Sequence, residues 1–174
     1  MNYVAFLRGI NVGGHKKIRM VDLKAMFEMM KFSNVRTYIN SGNVLFETSD
    51  IDSEKLTKNI EEAITKTFGF EVKVMIRTID ELQDILDHNP YPNPADDEKM
   101  YISFLYEEPK KDEIKNIESL SNDIYSFKLR GKELYMLRRP DLEPFLKGKE
   151  YTEKNLGGTA TNRNINTVKK ILSL

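Results

Sequence analysis

The order in which two hydrophobic periodicities alternate over the first 77 residues constrains this chain more than any other feature. Residues 3–7 form a short, nearly continuous apolar run, the pattern of a strand buried on both faces. From Met20 the apolar residues fall at 20, 23, 26, 27 and 30, the stripe of an amphipathic helix. Val35, Thr37 and Ile39 alternate, Asn40-Ser41-Gly42-Asn43 carries turn chemistry, and Val44 and Phe46 alternate again, which predicts a hairpin. Residues 51–68 set Leu56, Ile60, Ala63, Ile64 and Phe68 on one helical face, and Gly69 follows as a C-cap. Val72, Val74 and Ile76 then return to period two.

The succession β-α-β-β-α-β is the split βαβ pattern. It predicts an α+β protein with a ferredoxin-like half over residues 1–77. The first strand should lie inside a sheet ordered fourth, first, third, second, with both helices on one face. Thr78 and Glu81 have the spacing of a capping box for a short helix. Three prolines within 88–98 mark 78–99 as a helix and linker. A related βαββα half is expected over 100–174, with strands at 100–106, 123–129 and 133–138 and a helix near 110–120. Two further helices are expected near 141–147 and 163–173.

Composition removes several classes of chemistry. There is no cysteine, which excludes disulfides, thiol catalysis and thiolate metal sites. His15 and His88 stand far apart in sequence with no ligand set around them, so no metal site is expected. No apolar run approaches the roughly 18 residues that a membrane span needs. The chain opens directly on a strand pattern, and a cytoplasmic location without membrane contact is expected. Net charge is zero, which argues against nucleic acid as a partner. The charge is uneven, however: residues 1–45 hold Arg8, Lys16, Lys17, Arg19, Lys24, Lys31 and Arg36 against Asp22 and Glu28.

Topology gathers part of that charge. In a βαββαβ unit the first two strands point to the same end, so the loop after the first strand and the turn after the second emerge together. Arg8, Asn11, Gly13, Gly14, His15 and Lys16 are thereby brought toward Ser41, Gly42 and Asn43. Glycine lets backbone amides approach a ligand, and cations add charge-assisted donors, a chemistry suited to phosphate or carboxylate. The loop fits neither the phosphate-binding P-loop nor the GxGxxG spacing, and glycines serving tight turns are the alternative reading. A second Gly-rich stretch, Gly157 to Asn164, precedes the final helix and puts Arg163 in its first turn, where it opposes the helix dipole unless a carboxylate or an anionic ligand faces it. Arg163 and Asn164 complete the set of candidate ligand-binding residues. A nucleophilic Ser41 would need a base, and His15 is the one histidine on the neighbouring loop. Phe6, Tyr38 and Phe46 sit where an RNA-binding sheet stacks bases, but the basic and aromatic pattern around them is missing.

The segments YVAFLRGINVGGHKKIRM, VRTYINSGNVLF and TATNRNINTVKKIL resemble the domain of unknown function 1697 family of bacterial proteins, and the resemblance spans nearly the whole chain. Lys31 stands where that family has glycine at the exit of the first helix, and Ile165 stands where it has tryptophan. The resemblance implies two ferredoxin-like or related halves and no reaction or cofactor. Three functions stay open at this level. The first is binding of a small phosphate- or nucleotide-like anion at the Gly/Asn/Arg rim. An enzyme of unknown reaction at the same place is the second, and an RNA or protein interaction module the third. Neither the oligomeric state nor the ligand is encoded legibly.

Overall fold

The computed structural model describes residues 1–49, 52–140 and 159–174. The chain divides into two compact units, one of residues 1–83 with Leu174 and one of residues 84–173. The helix expected near 141–147 and the pair Gly157-Gly158 lie outside the described residues.

The first part of the chain runs β1 (Asn2–Leu7), α1 (Met20–Met29), β2 (Ser33–Tyr38), β3 (Asn43–Glu47), α2 (Ser53–Phe68), β4 (Val74–Thr78) and α3 (Ile79–Asp87). Its sheet is ordered β2-β3-β1-β4 and every pairing is antiparallel. This is the expected order, with β1 inside the sheet. The pleat explains the layering. Tyr3, Ala5 and Leu7 share a face with Val44, Phe46, Val74 and Ile76, and these pack with Leu23, Met26 and Phe27 of α1 and Leu56, Ile60 and Ile64 of α2. Both helices therefore cover one face. Val4 and Phe6 point the other way and are equally buried, so β1 is apolar on both sides. Burial of Phe6 and Phe46 in the interior withdraws both rings from base stacking.

Helix boundaries follow local chemistry. Asp52 caps α2 by accepting from the Lys55 amide, and Gly69, at φ 81°, closes it with a bond to the Thr65 carbonyl. Thr78 and Glu81 form the reciprocal capping box expected at the start of α3. Helix α1 ends in a Schellman motif: the Lys31 amide donates to the Glu28 carbonyl and the Phe32 amide to the Phe27 carbonyl. Lys31 occupies the left-handed position of that motif, at φ 68°.

The second part runs β5 (Lys99–Leu105), α4 (Lys111–Glu118), β6 (Tyr125–Arg130), β7 (Glu133–Arg138), β8 (Ala160–Asn164) and α5 (Ile165–Leu172). A separate antiparallel sheet forms, ordered β6-β7-β5-β8. Strand β8 corrects the expectation of a βαββα half closed by a helix from residue 163. Its sequence, Ala-Thr-Asn-Arg-Asn, has one apolar residue, so hydrophobic periodicity is silent there. Thr161 and Arg163 are buried by hydrogen bonding instead, Arg163 donating to Thr161 Oγ1 at 2.8 Å. Arg163 is thus a strand residue, and the dipole conflict anticipated for it does not arise. The helix starts at Ile165 with Asn164 as N-cap.

Two edge strands are held by a shared device. Glu61 of α2 accepts from the Val74 amide of β4 at 2.9 Å and pairs with Lys73 at 3.1 Å. Glu118 of α4 accepts from the Leu129 amide of β6 at 3.2 Å and pairs with Lys128 at 3.2 Å. Each carboxylate satisfies an edge amide that would otherwise be open to another strand.

Candidate functional site

The end of β1 and the β2–β3 turn meet as the topology requires. The Leu7 amide donates to the Gly42 carbonyl and the Arg8 amide to the Lys73 carbonyl, both at 2.9 Å. The β1–α1 loop, residues 8–19, leaves the sheet there beside residues 39–42. Neither segment contains a carboxylate, while the loop carries Arg8, His15, Lys16, Lys17 and Arg19.

Asn11 joins the two segments. It has φ 56°, and its Nδ2 donates to the Ile18 and Asn40 carbonyls while its Oδ1 accepts from the Ile18 amide, all at 2.9 Å. Asn43 is fully buried and donates from Nδ2 to the Tyr38 carbonyl at 2.8 Å and to Ser41 Oγ at 3.1 Å. Both asparagines thus shape the rim from within. Gly42, at φ 77°, is demanded by packing: a Cβ there would lie 2.6 Å from Ile10 Cδ1 and 2.9 Å from Leu7 Cβ. Ile39, which the alternation assigns to a strand, belongs to the turn at φ 51° with its side chain 48% exposed. A β-branched residue is strained in that region.

Between Asn11 and Lys16 the loop doubles back as a small finger. The Asn11 amide donates to the Lys16 carbonyl at 3.2 Å and the His15 amide to the Val12 carbonyl at 3.1 Å. Gly13 and Gly14 have φ 59° and 80°, the signs of a type I′ turn. Positions 12–17 are exposed, and Lys16 Nζ donates to the Glu71 carbonyl at 2.6 Å. The His15 ring has no hydrogen bond among the described residues. Arg8 is half-buried at the base of the finger.

The second part of the chain supplies an internal comparison. There the Leu105 amide donates to the Lys132 carbonyl and the Tyr106 amide to the Thr159 carbonyl, both at 2.8 Å, the same arrangement seen at Leu7 and Arg8. The connection after β5 is only residues 106–110 and includes Glu107 and Glu108, and the β6–β7 turn is only Gly131 and Lys132. The frame therefore closes without a long basic loop.

Arg163 and Asn164 belong to this second unit. Arg163 is 7% exposed, bonds to Thr161 Oγ1 and the Asn162 carbonyl, and has its pKa lowered to about 10 by burial. Asn164 spends its side chain on the Asn166 amide. Arg77 on β4 was not apparent from the sequence as a buried cation. It pairs in register with Val4 as Arg163 does with Ile102, and donates to the Ile76 carbonyl at 2.7 Å.

A family model described as protein of unknown function (DUF1697) matches residues 1–135. The chain belongs to the DUF1697 family. This DUF1697 chain is also similar to the conserved bacterial protein SP0830 from Streptococcus pneumoniae, with 23% identity and a TM-score of 0.77. The match covers 99% of the DUF1697 chain and 97% of that protein. At that identity the likeness concerns the fold. No curated protein matches the DUF1697 chain. Among its described residues no helix is long and apolar enough to cross a membrane.

Proposed function

We propose that the chain is a cytoplasmic bacterial binding protein, built as two ferredoxin-like units, that holds a small phosphate- or nucleotide-like anion on the rim of the first unit. The contrast between the two parts carries this reading. Closing the strands needs only a five-residue connection and a two-residue turn in the second part, yet the first has a twelve-residue connection and a four-residue turn. The added length is basic, glycine-rich and free of carboxylates. The clamp at Asn11 and the strain at Ile39 support the same conclusion, because a loop with only a closing role has no need of either. Arg8 and Lys16 supply charge, the Gly13-Gly14 turn supplies backbone amides and Ser41 a hydroxyl.

The experiment titrates the protein with inorganic phosphate and with AMP, following thermal unfolding and heat of binding. A charge-assisted contact contributes about 1.5–3 kcal/mol, so Arg8→Ala should weaken binding about ten- to a hundredfold. Ser41→Ala should weaken it less. Glu107→Gln, in the second unit, should leave it unchanged. Equal affinity in the Arg8 and Ser41 variants, or a thermal loss without an affinity change, would assign the rim a structural role only.

A further inference from the structure

We infer that a second ligand site, for a small carboxylate with an apolar body, lies at the opposite end of the first sheet from the rim, in a cleft governed by Lys31. The cleft has a volume of about 530 Å³. It opens where β2 begins and β3 ends, around the register pairs Ser33 with Glu47 and Asn2 with Glu47. Its apolar lining comes from Met30, Phe32 and Leu56; its polar lining comes from Lys31, Ser33, Thr48, Ser49 and Asn59, with Glu47 at the end of β3 as the one carboxylate.

Two observations bear on Lys31, the one lysine in the cleft lining. The first is its backbone. Position 31 is the left-handed residue of the Schellman motif ending α1, at φ 68°, the place where glycine carries no steric cost. A lysine held there stores strain without contributing to the core, since its side chain is exposed. The second is its charge. Its ammonium has no ion pair or hydrogen bond among the described residues, and it is the side-chain cation that lines the cleft. The Asn59 amide has none either. A strained, unpartnered cation beside an amide, a serine hydroxyl and an apolar floor is the donor set for a carboxylate whose hydrocarbon part rests on Met30, Phe32 and Leu56. Helix C-terminal dipole stabilisation also favours a lysine here, and the test separates the two explanations.

Hexanoate and the neutral hexanamide are titrated into the full chain and followed by amide chemical shifts. Hexanoate should produce saturable shifts at Lys31, Ser33 and Asn59, and hexanamide should bind about ten- to a hundredfold more weakly for want of the charge. Lys31→Gly should weaken hexanoate by a similar factor while leaving the unfolding midpoint unchanged or raising it by about 2–4 °C, the shift expected from relieving about 1 kcal/mol of strain in a chain of this size. Asn59→Ala, a surface change, should weaken hexanoate without moving the midpoint. Equal binding of acid and amide, no saturable shift with hexanoate, or unchanged hexanoate affinity in Lys31→Gly each overturns the site. A fall in the midpoint of Lys31→Gly with affinity intact identifies the lysine as a helix-terminating residue alone.

Discussion

The side-chain amide of Asn11 donates to the main-chain carbonyl of Asn40, 29 positions along the chain, at 2.9 Å. The same side chain closes its own loop through both the amide and the carbonyl of Ile18. One residue therefore ties the basic loop to the β2–β3 turn. Asn11→Ala removes three hydrogen bonds and leaves the Ile18 amide, in a buried residue, without its acceptor. A loss of about 2–3 kcal/mol is expected, read as a lowered urea midpoint with an unchanged denaturant slope. A neutral outcome would mean that the two segments are held together by other contacts.

Gly42 and Gly14 share a positive φ, 77° and 80°, but not their surroundings. At Gly14 nothing lies within 4 Å of an added Cβ, so Gly14→Ala should cost only the backbone term, about 1–2 kcal/mol. At Gly42 the Cβ collides with Leu7 and Ile10, and overpacking adds about 1–3 kcal/mol. Chemical denaturation of both variants should therefore rank Gly42→Ala as clearly the more damaging. The reverse order would show that the turn can shift away from β1.

Glu61 combines two interactions of different worth. Its bond to the edge amide of Val74 is partly buried, whereas its ion pair with Lys73 is open to solvent on the lysine side. Glu61→Gln retains an acceptor and should cost about 0–1 kcal/mol, the value of a surface pair. Glu61→Ala should cost about 1–3 kcal/mol because the amide loses its partner. High salt should narrow the difference between wild type and Glu61→Gln and leave Glu61→Ala impaired.

Tyr135 is 1% exposed and donates to the Ile85 carbonyl at 2.8 Å. Burial, reinforced by Glu133, pushes its phenol up to about 12 from an ordinary value near 10. The folded state thus holds a proton that the unfolded state releases between about pH 10 and pH 12. Stability from this group is fully present below pH 10 and declines as pH rises through that window. Unfolding curves of wild type and Tyr135→Phe across pH 9–12 should converge toward the alkaline end, with the variant less stable at neutral pH by about 1–2 kcal/mol for the lost hydrogen bond. Parallel curves would place the alkaline loss elsewhere.

The first unit was legible in the sequence because its information is local. The continuous apolar run of β1, the period two of β3, the stripes of α1 and α2, Gly69 and the Thr78–Glu81 box each act within a few residues, and together they imply the strand order and the meeting of the two loops. Strand β8 was not legible, since Thr161 and Arg163 are buried by hydrogen bonding in the sheet rather than by hydrophobicity. Nor were the roles of Asn11, Ile39 and Lys31, because a backbone dihedral at a non-glycine residue leaves no mark in composition.

By itself the sequence determined the secondary elements other than β8, the α+β class and which chemical groups could reach the rim, all consequences of periodicity and short-range capping. Only the tertiary structure decided which of those groups are already engaged. Asn11 is committed to a carbonyl 29 positions away, and Gly42 is required by side chains from another strand and loop. Lys31 finds no partner among the described residues and meets a cleft completed by Leu56 and Asn59 from α2. Hydrogen-bond partners and cavities are set by residues distant in the chain, and their positions exist only once the strands have paired.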